Sequence, residues 1–310
     1  MSPRPAPRGA DAADPRTAPT EPAFPAPAAA APAAQILPGD YTLQRRVHVG
    51  RDGEVWSATD AAGRQVAVKL GRAGDAAVAA RFAAEARALA SLTHRSIVRL
   101  LGHGESADRR PFLALEWLEG ETAARLLEAR GSGIPPRDAI RLMMPIASAL
   151  ALAHDRGFVH GAVGADNVIV VVHGDRVAVP KLVDFAAAKR IVPSTPPPSV
   201  SEPTRPVRQA ADTGDPTADI RGFAATIFHA IAGRAPFSEA PAKEGASAIP
   251  RTGLSERDAA LWRILAEGLA PPPAARFRSV HDFARELAAW ADLRGLDADI
   301  TGNPISARWR

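Results

Sequence analysis

Pro136 to Arg156 carries apolar side chains at helical spacing, with Ile140, Met143, Ile146, Leu150 and His154 marking one stripe. Pro136 stands near the first turn of that helix, where the N–H it lacks would have had no partner anyway. The helix delivers the chain into Phe158-Val-His160-Gly-Ala162-Val-Gly164-Ala-Asp166-Asn167, and from there into the apolar strand Val168 to Val172. A loop holding one histidine and one asparagine between two core-forming elements is the stretch around which the rest of the chain is organised.

A chain of 310 residues, 46% of them apolar, can bury a sizeable core as one large domain or two ordinary ones. Its 29 prolines crowd residues 3 to 38 and 193 to 206, which leaves the remainder free for regular structure. Residues 1 to 38 are Ala/Pro-rich low-complexity sequence that buries too little to offset chain entropy, and are expected to form a disordered arm. The formal charge of +4 comes mostly from arginines scattered among carboxylates, with no basic run, so it argues for a solvated surface and against a nucleic-acid partner. Cysteine is absent, which excludes disulfides and thiolate metal sites. The N-terminus has no apolar core of a secretory signal, and the windows Leu142 to Ala153 and Phe223 to Ala232 are too short to span a bilayer, so a cytoplasmic location is the default.

Short β-type runs begin at Tyr41. Tyr41 to Val49 alternates, Gly50-Arg-Asp-Gly53 turns, and Glu54 to Ala58 alternates again, which reads as a hairpin with a Gly-rich tip. Gln65-Val-Ala-Val-Lys-Leu70 is the next strand. A lone lysine on a strand is ordinarily an edge charge. Lys69 differs because lysine is scarce in this arginine-rich chain and because a helix, Ala76 to Leu92, follows with Glu85 in it. Pro111 to Gly120 is a strand running into a connector, Glu121 to Leu127 a short helix, and Val177 to Val183 a strand ending in Asp184-Phe-Ala186. Asp219 to Ile231, Leu261 to Leu269 and Val280 to Leu293 are helical, and 294–310 reads as a tail.

In order and spacing these pieces resemble the protein kinases, in particular the bacterial eukaryotic-like Ser/Thr kinases, over roughly Tyr41 to Leu293. His48-Val-Gly50-Arg-Asp-Gly53-Glu-Val55 resembles the phosphate loop G-x-G-x-x-G-x-V with His48 at the first glycine; Val66-Ala-Val-Lys69 resembles V-A-I-K; Asp184-Phe-Ala186 resembles D-F-G; Gly233-Arg-Ala-Pro-Phe237 resembles G-R-x-P-F. The resemblance implies an α+β, two-lobed fold: a small antiparallel β N-lobe with one helix (41–116) and a larger, mainly helical C-lobe (120–293). It implies that Lys69 bridges Glu85 and the phosphates of ATP, with Gly50 and Gly53 over the phosphates. Val55, Ala67 and Ile169 would sandwich the base, with Leu115 behind it and Glu116 to Leu118 at its edge. Asn167 and Asp184 would hold Mg²⁺. Asp219 is expected to hold the loop backbone, and His160 to be a packed structural histidine.

The loop departs from H-R-D-x-K-P-x-N where the chemistry is done. Ala162 stands at the catalytic base, Gly161 at the arginine and Gly164 at the phosphate-facing lysine. Ala186 in place of glycine is expected to make its segment flip less readily. Residues 187–208, with six prolines among Ser194, Thr195, Ser199, Ser201 and Thr204, end at Pro206-Val207 without the family's glutamate, so Arg276 must find another acceptor. These departures point to a pseudokinase that binds ATP and Mg²⁺ and acts as a signalling or scaffolding module for a protein partner. The alternatives are an active Ser/Thr kinase using Asp166 or water as base, and a domain that no longer binds nucleotide.

Overall fold

The computed structural model of the chain describes residues 36–173, 177–191, 214–236 and 258–309. Of the arm read over residues 1–38, the part up to residue 35 lies outside the described residues, while Ile36–Leu37 form a strand with Leu37 buried in the core. The turn at Gly174-Asp175, Phe237, and the segment bearing Ser194, Thr195, Ser199, Ser201, Thr204, Pro206 and Val207 also lie outside the described residues.

The N-terminal part is an antiparallel sheet of β1 (Ile36–Leu37), β2 (Tyr41–Val49), β3 (Gly53–Thr59), β4 (Gln65–Gly71), β5 (Leu100–Glu105) and β6 (Pro111–Glu116), in the order β1-β2-β3-β4-β6-β5. Alternation along β4 decides its two faces. Val66, Val68 and Leu70 are buried with Leu37, Leu43, Ala58, Phe112 and Ala114 on one side. Ala67 and Lys69 therefore project from the other, the side covered by helix α1 (Ala76–Ser91). Asp75 caps α1, accepting from the Ala77 and Val78 amides, and Val78, Phe82 and Ala86 of the helix pack on Leu113 of β6.

The C-terminal part is built on helices. After β7 (Gly120–Thr122) come α2 (Ala123–Arg130) and α3 (Pro136–Asp155), then β8 (Phe158–Val159), β9 (Val168–His173), β10 (Val177–Leu182) and β11 (Lys189–Arg190). Among the described residues, helices α4 (Pro216–Ala232), α5 (Ala259–Gly268), α6 (Val280–Asp292) and α7 (Ile305–Arg308) follow. The helix expected from Glu121 starts two residues later, at Ala123, because Gly120–Thr122 pairs with β9 and Thr122 then serves as the cap, accepting from the Arg125 amide. Ile140, Met143, Ile146 and Leu150 of α3 join Phe185, Phe223, Phe228 and Phe283 in one core.

The stretch 294–310, read from sequence as a tail, is packed onto that core as far as it is described. Leu296, Ile305 and Trp309 are buried in it. Pro145 inside α3 has no N–H to give to the carbonyl four residues back, Arg141, and that carbonyl accepts instead from the Ile300 amide at 2.9 Å. A proline in mid-helix thus creates the docking point for the chain's end.

Candidate functional site

Strand β4 and helix α1 bring Lys69 and Glu85 together: Lys69 Nζ lies 2.8 Å from Glu85 Oε2 and 2.6 Å from Asp184 Oδ1. The pair is largely out of solvent, with the Lys69 side chain 17% exposed and that of Glu85 1%. Burial works against the Lys69 charge, but the two carboxylates outweigh it and hold the ammonium above its ordinary pKa. Burial likewise pushes the Glu85 carboxyl up, with the Lys69 charge opposing. Both Glu85 oxygens accept hydrogen bonds, one from Lys69 and the other from the Phe185 amide, which is the bonding of an ionised carboxylate.

Asp184 reaches this network from the end of β10. The Val183 amide donates to Asn167 O, fixing that end to the loop, and Asp184 then turns through φ 63, a left-handed backbone that few non-glycine residues adopt. Phe185 is buried with its ring 4.5 Å from that of His160. Ala186 sits inside a single 3₁₀ turn, Phe185–Ala187, a conformation that needs no glycine.

The loop itself is suspended from Asp219, which is fully buried on α4. One of its oxygens accepts from the Gly161 amide at 2.7 Å, the other from the His160 amide and from His154 Nε2, both at 2.8 Å. His160 donates from Nε2 to Val183 O at 3.0 Å and accepts at Nδ1 from the Ala162 amide at 3.2 Å. With both ring nitrogens committed and burial holding its pKa down, His160 is a neutral brace between loop and β10. Gly161 has φ 79, and a Cβ there would stand 2.8 Å from Ala187 O, so the position suits glycine. Ala162 offers a methyl group, and its carbonyl accepts from Asn167 Nδ2 at 2.8 Å. Asp166 is exposed, and its charge bears on His229 of α4.

The remaining candidate residues line the sheet side and the connector. In register, Val55 lies opposite Lys69, and Leu115 opposite Ala67, so Val55, Ala67, Lys69 and Leu115 share one face. Gly50 and Gly53 close the turn at its edge, the Gly50 amide donating to Gly53 O at 2.8 Å. Ile169 lies across β9–β10 from Lys181, whose Nζ reaches Glu116 Oε1 at 2.6 Å; that face of the β9–β10 pair therefore looks toward the connector. Leu118 is half-buried on the C-terminal core. The Glu116 amide donates to Arg99 O at 3.0 Å, so a backbone bond from Glu116 to a ligand would have to come from its carbonyl. Arg276, deprived of a glutamate, bonds the carbonyls of Ala270, Pro271 and Thr217 instead.

Residues 41–257 match the protein kinase domain family. The chain belongs to the protein kinases. It is 30% identical to the serine/threonine-protein kinase PknA of Mycobacterium tuberculosis over 274 residues, which cover 82% of this chain and 62% of that one. It is 28% identical to the serine/threonine-protein kinase pkn2 of Myxococcus xanthus over 247 residues, 74% of this chain and 28% of that protein. Among solved structures, the PknI kinase domain of M. tuberculosis superposes with a TM-score of 0.64 at 26% identity, covering 84% of this chain and 99% of that domain. The chain thus spans less than two thirds of the length of PknA. The two-lobed kinase architecture expected from the motifs is the one observed.

Within this kinase domain, residues that sequence reasoning passed over include Lys181, Asp52 and Arg81. Lys181 carried a usable signal, being a second lysine on a strand in a lysine-poor chain. For a metal, Asp184 and Asn167 supply a carboxylate and an amide oxygen, the hard donors that Mg²⁺ prefers. No group of three or more His, Asp or Glu able to hold a metal occurs among the described residues.

Proposed function

We propose that this kinase domain is a pseudokinase that binds ATP with Mg²⁺ and serves as a signalling or scaffolding module, transferring little or no phosphate. The observation that carries this reading is a division within one site. Lys69, Glu85, Asp184 and the Phe185 amide are bonded into a single network, while position 162 presents only a methyl group and Asp166 faces solvent.

In this reading Lys69 meets the α- and β-phosphates, Asp184 and Asn167 hold Mg²⁺, and the Gly50–Gly53 turn covers the phosphates. Val55, Ala67 and Ile169 enclose the base against Leu115, with the Glu116–Leu118 connector at its edge. Bound Mg²⁺ would neutralise phosphate charge. Loss of a general base costs roughly 10²- to 10⁴-fold, and Gly164 removes a phosphate-facing cation as well. In this reading the partner is a protein and the location cytoplasmic.

Two measurements on the full chain test this. Mg-ATP at a hundredfold excess over its Kd should stabilise the fold by about 2.7 kcal/mol, read as a rise in Tm, and Lys69→Met should abolish the rise. Labelled γ-phosphate should not be transferred at ordinary kinase rates. Transfer at such rates, lost in Asp184→Ala, would overturn the proposal; so would the absence of any thermal shift.

A further inference from the structure

The turn between β2 and β3 is tied to helix α1 by a side-chain pair that the nucleotide motifs do not include. Asp52, at the tip, accepts from Arg81 Nε at 2.8 Å and from an Arg81 terminal nitrogen at 2.7 Å, a bidentate guanidinium–carboxylate pair between residues 29 apart. Arg81 stands one helical turn before Glu85 on α1. The tip is held from a second side as well, since the Arg72 amide donates to Asp52 O at 3.2 Å. Glu54, on the other side of Gly53, is already consumed: it accepts from Arg46, Trp56 and Arg110. Gly53 permits this closeness, because a Cβ there would fall 2.1 Å from Leu70 O.

A continuous chain of contacts follows. It runs from the tip through Asp52 and Arg81 into α1, one turn along to Glu85, and from there to Lys69 and to the Phe185 amide. A phosphate loop free to lift must be ordered when nucleotide arrives, whereas one anchored to the helix is already in place. We propose that Asp52 and Arg81 form a clasp which makes the glycine-rich turn and α1 move as one body, and that they are positioning residues for the phosphates of a bound nucleotide. This rests on the reading that the cleft takes ATP. The pair acts on the turn's position and has no assigned contact with the nucleotide.

The test uses the full chain and four variants: Asp52→Asn, Arg81→Gln, the two combined, and the charge swap Asp52→Arg with Arg81→Asp. The first readout is amide hydrogen exchange without nucleotide, at Gly50 and Arg72, whose N–H groups are bonded within and across the turn. Each single variant should speed exchange there about fivefold or more, the combined variant should add little, and the swap should restore protection. The second readout is the dissociation rate of a fluorescent ADP analogue with Mg²⁺, which should rise about five- to tenfold in the singles, no further in the combination, and return within about twofold in the swap. A general loss of stability would instead lower Tm and would not be rescued by the swap. Unchanged exchange in both single variants, or effects that simply add, would overturn the clasp. If the parent binds no ADP, the positioning role falls together with the ATP reading, while the exchange measurement still decides whether the clasp exists.

Discussion

The Phe185 amide donates to Glu85 Oε1 at 3.1 Å, across a sequence separation of 100 residues. Because Glu85 Oε2 takes Lys69 at the same time, one carboxylate fixes the strand lysine and the start of the Asp184-Phe-Ala segment together. Glu85→Ala leaves a buried ammonium with only Asp184 and strips the Phe185 amide of its acceptor; removing one partner of a buried pair costs about 3 kcal/mol or more. Asp184, with its side chain 45% exposed, is a weaker contributor, and Asp184→Ala should cost roughly 1 kcal/mol or less. Urea unfolding of both variants at neutral pH checks the order, and an equal cost would show that the network is not anchored at Glu85.

Asp219 should matter for stability more than any other acid of the loop region. It is fully buried and accepts two backbone N–H groups and one imidazole. Asp219→Ala abandons those donors, at about 1–3 kcal/mol for each amide left unpaired. Asp219→Asn should also destabilise, since an amide NH₂ would then face an N–H. The local signature is faster hydrogen exchange at His160 and Gly161. If unfolding midpoints fall without any change at those two amides, Asp219 acts elsewhere.

The parts legible in the sequence are those where a residue's partner is set by a local pattern. Lys69 on an alternating strand, Glu85 on a periodic helix and Asp184 after an apolar run could each be placed in its element, and the family order then brought them together; so it was for Asp219 and the loop. What stayed hidden are pairings chosen by three-dimensional packing alone. Asp52–Arg81 and Glu116–Lys181 join residues 29 and 65 apart with no periodic signal linking them. The docking of 296–309 was hidden for a different reason. Its apolar residues follow no helical or strand period, and although Pro145 frees the Arg141 carbonyl, its partner, the Ile300 amide, is brought to it only by three-dimensional packing.

His94 gives the fold a pH dependence of definite sign. It donates from Nε2 to Ser148 Oγ at 2.8 Å and accepts at Nδ1 from the Ser96 amide at 3.0 Å, so it is bonded as the neutral ring. Burial first, and then the charges of Arg308, Arg95 and Lys181, bring its pKa from 6.5 down to about 4. The unfolded chain therefore binds the extra proton first. The stabilisation is complete above about pH 6.5 and drains away as pH falls toward 4. Allowing for the ring's partial exposure, about 1–2 kcal/mol should be lost over that range. His94→Gln should flatten the slope between pH 6.5 and 5, above most carboxylate titration; a slope identical to the parent's would remove His94 as its source.

Restoring the missing chemistry is the most direct probe of the loop. The backbone at 162 is already fixed: its amide donates to His160 Nδ1, its carbonyl accepts from Asn167, and the preceding amide is held by Asp219. A carboxylate introduced by Ala162→Asp would thus be presented from a set backbone. Gly164 is extended, with φ −168 and ψ 165, and a Cβ there meets nothing within 4 Å, so Gly164→Lys is also accommodated. Gly161 is best left alone, because its φ of 79 and the nearby Ala187 carbonyl would strain an arginine. The double variant Ala162→Asp/Gly164→Lys should transfer labelled γ-phosphate to a Ser/Thr acceptor at least about 10²-fold faster than the parent, the size of a general-base contribution. Both proteins should give the same thermal shift with Mg-ATP. Gain of transfer without change in binding means that Lys69, Glu85 and Asp184 are already set for catalysis and that only the loop has been disarmed. Equal binding with no gain would place the defect in the rest of the cleft, with His48 and the clasped turn the first positions to examine.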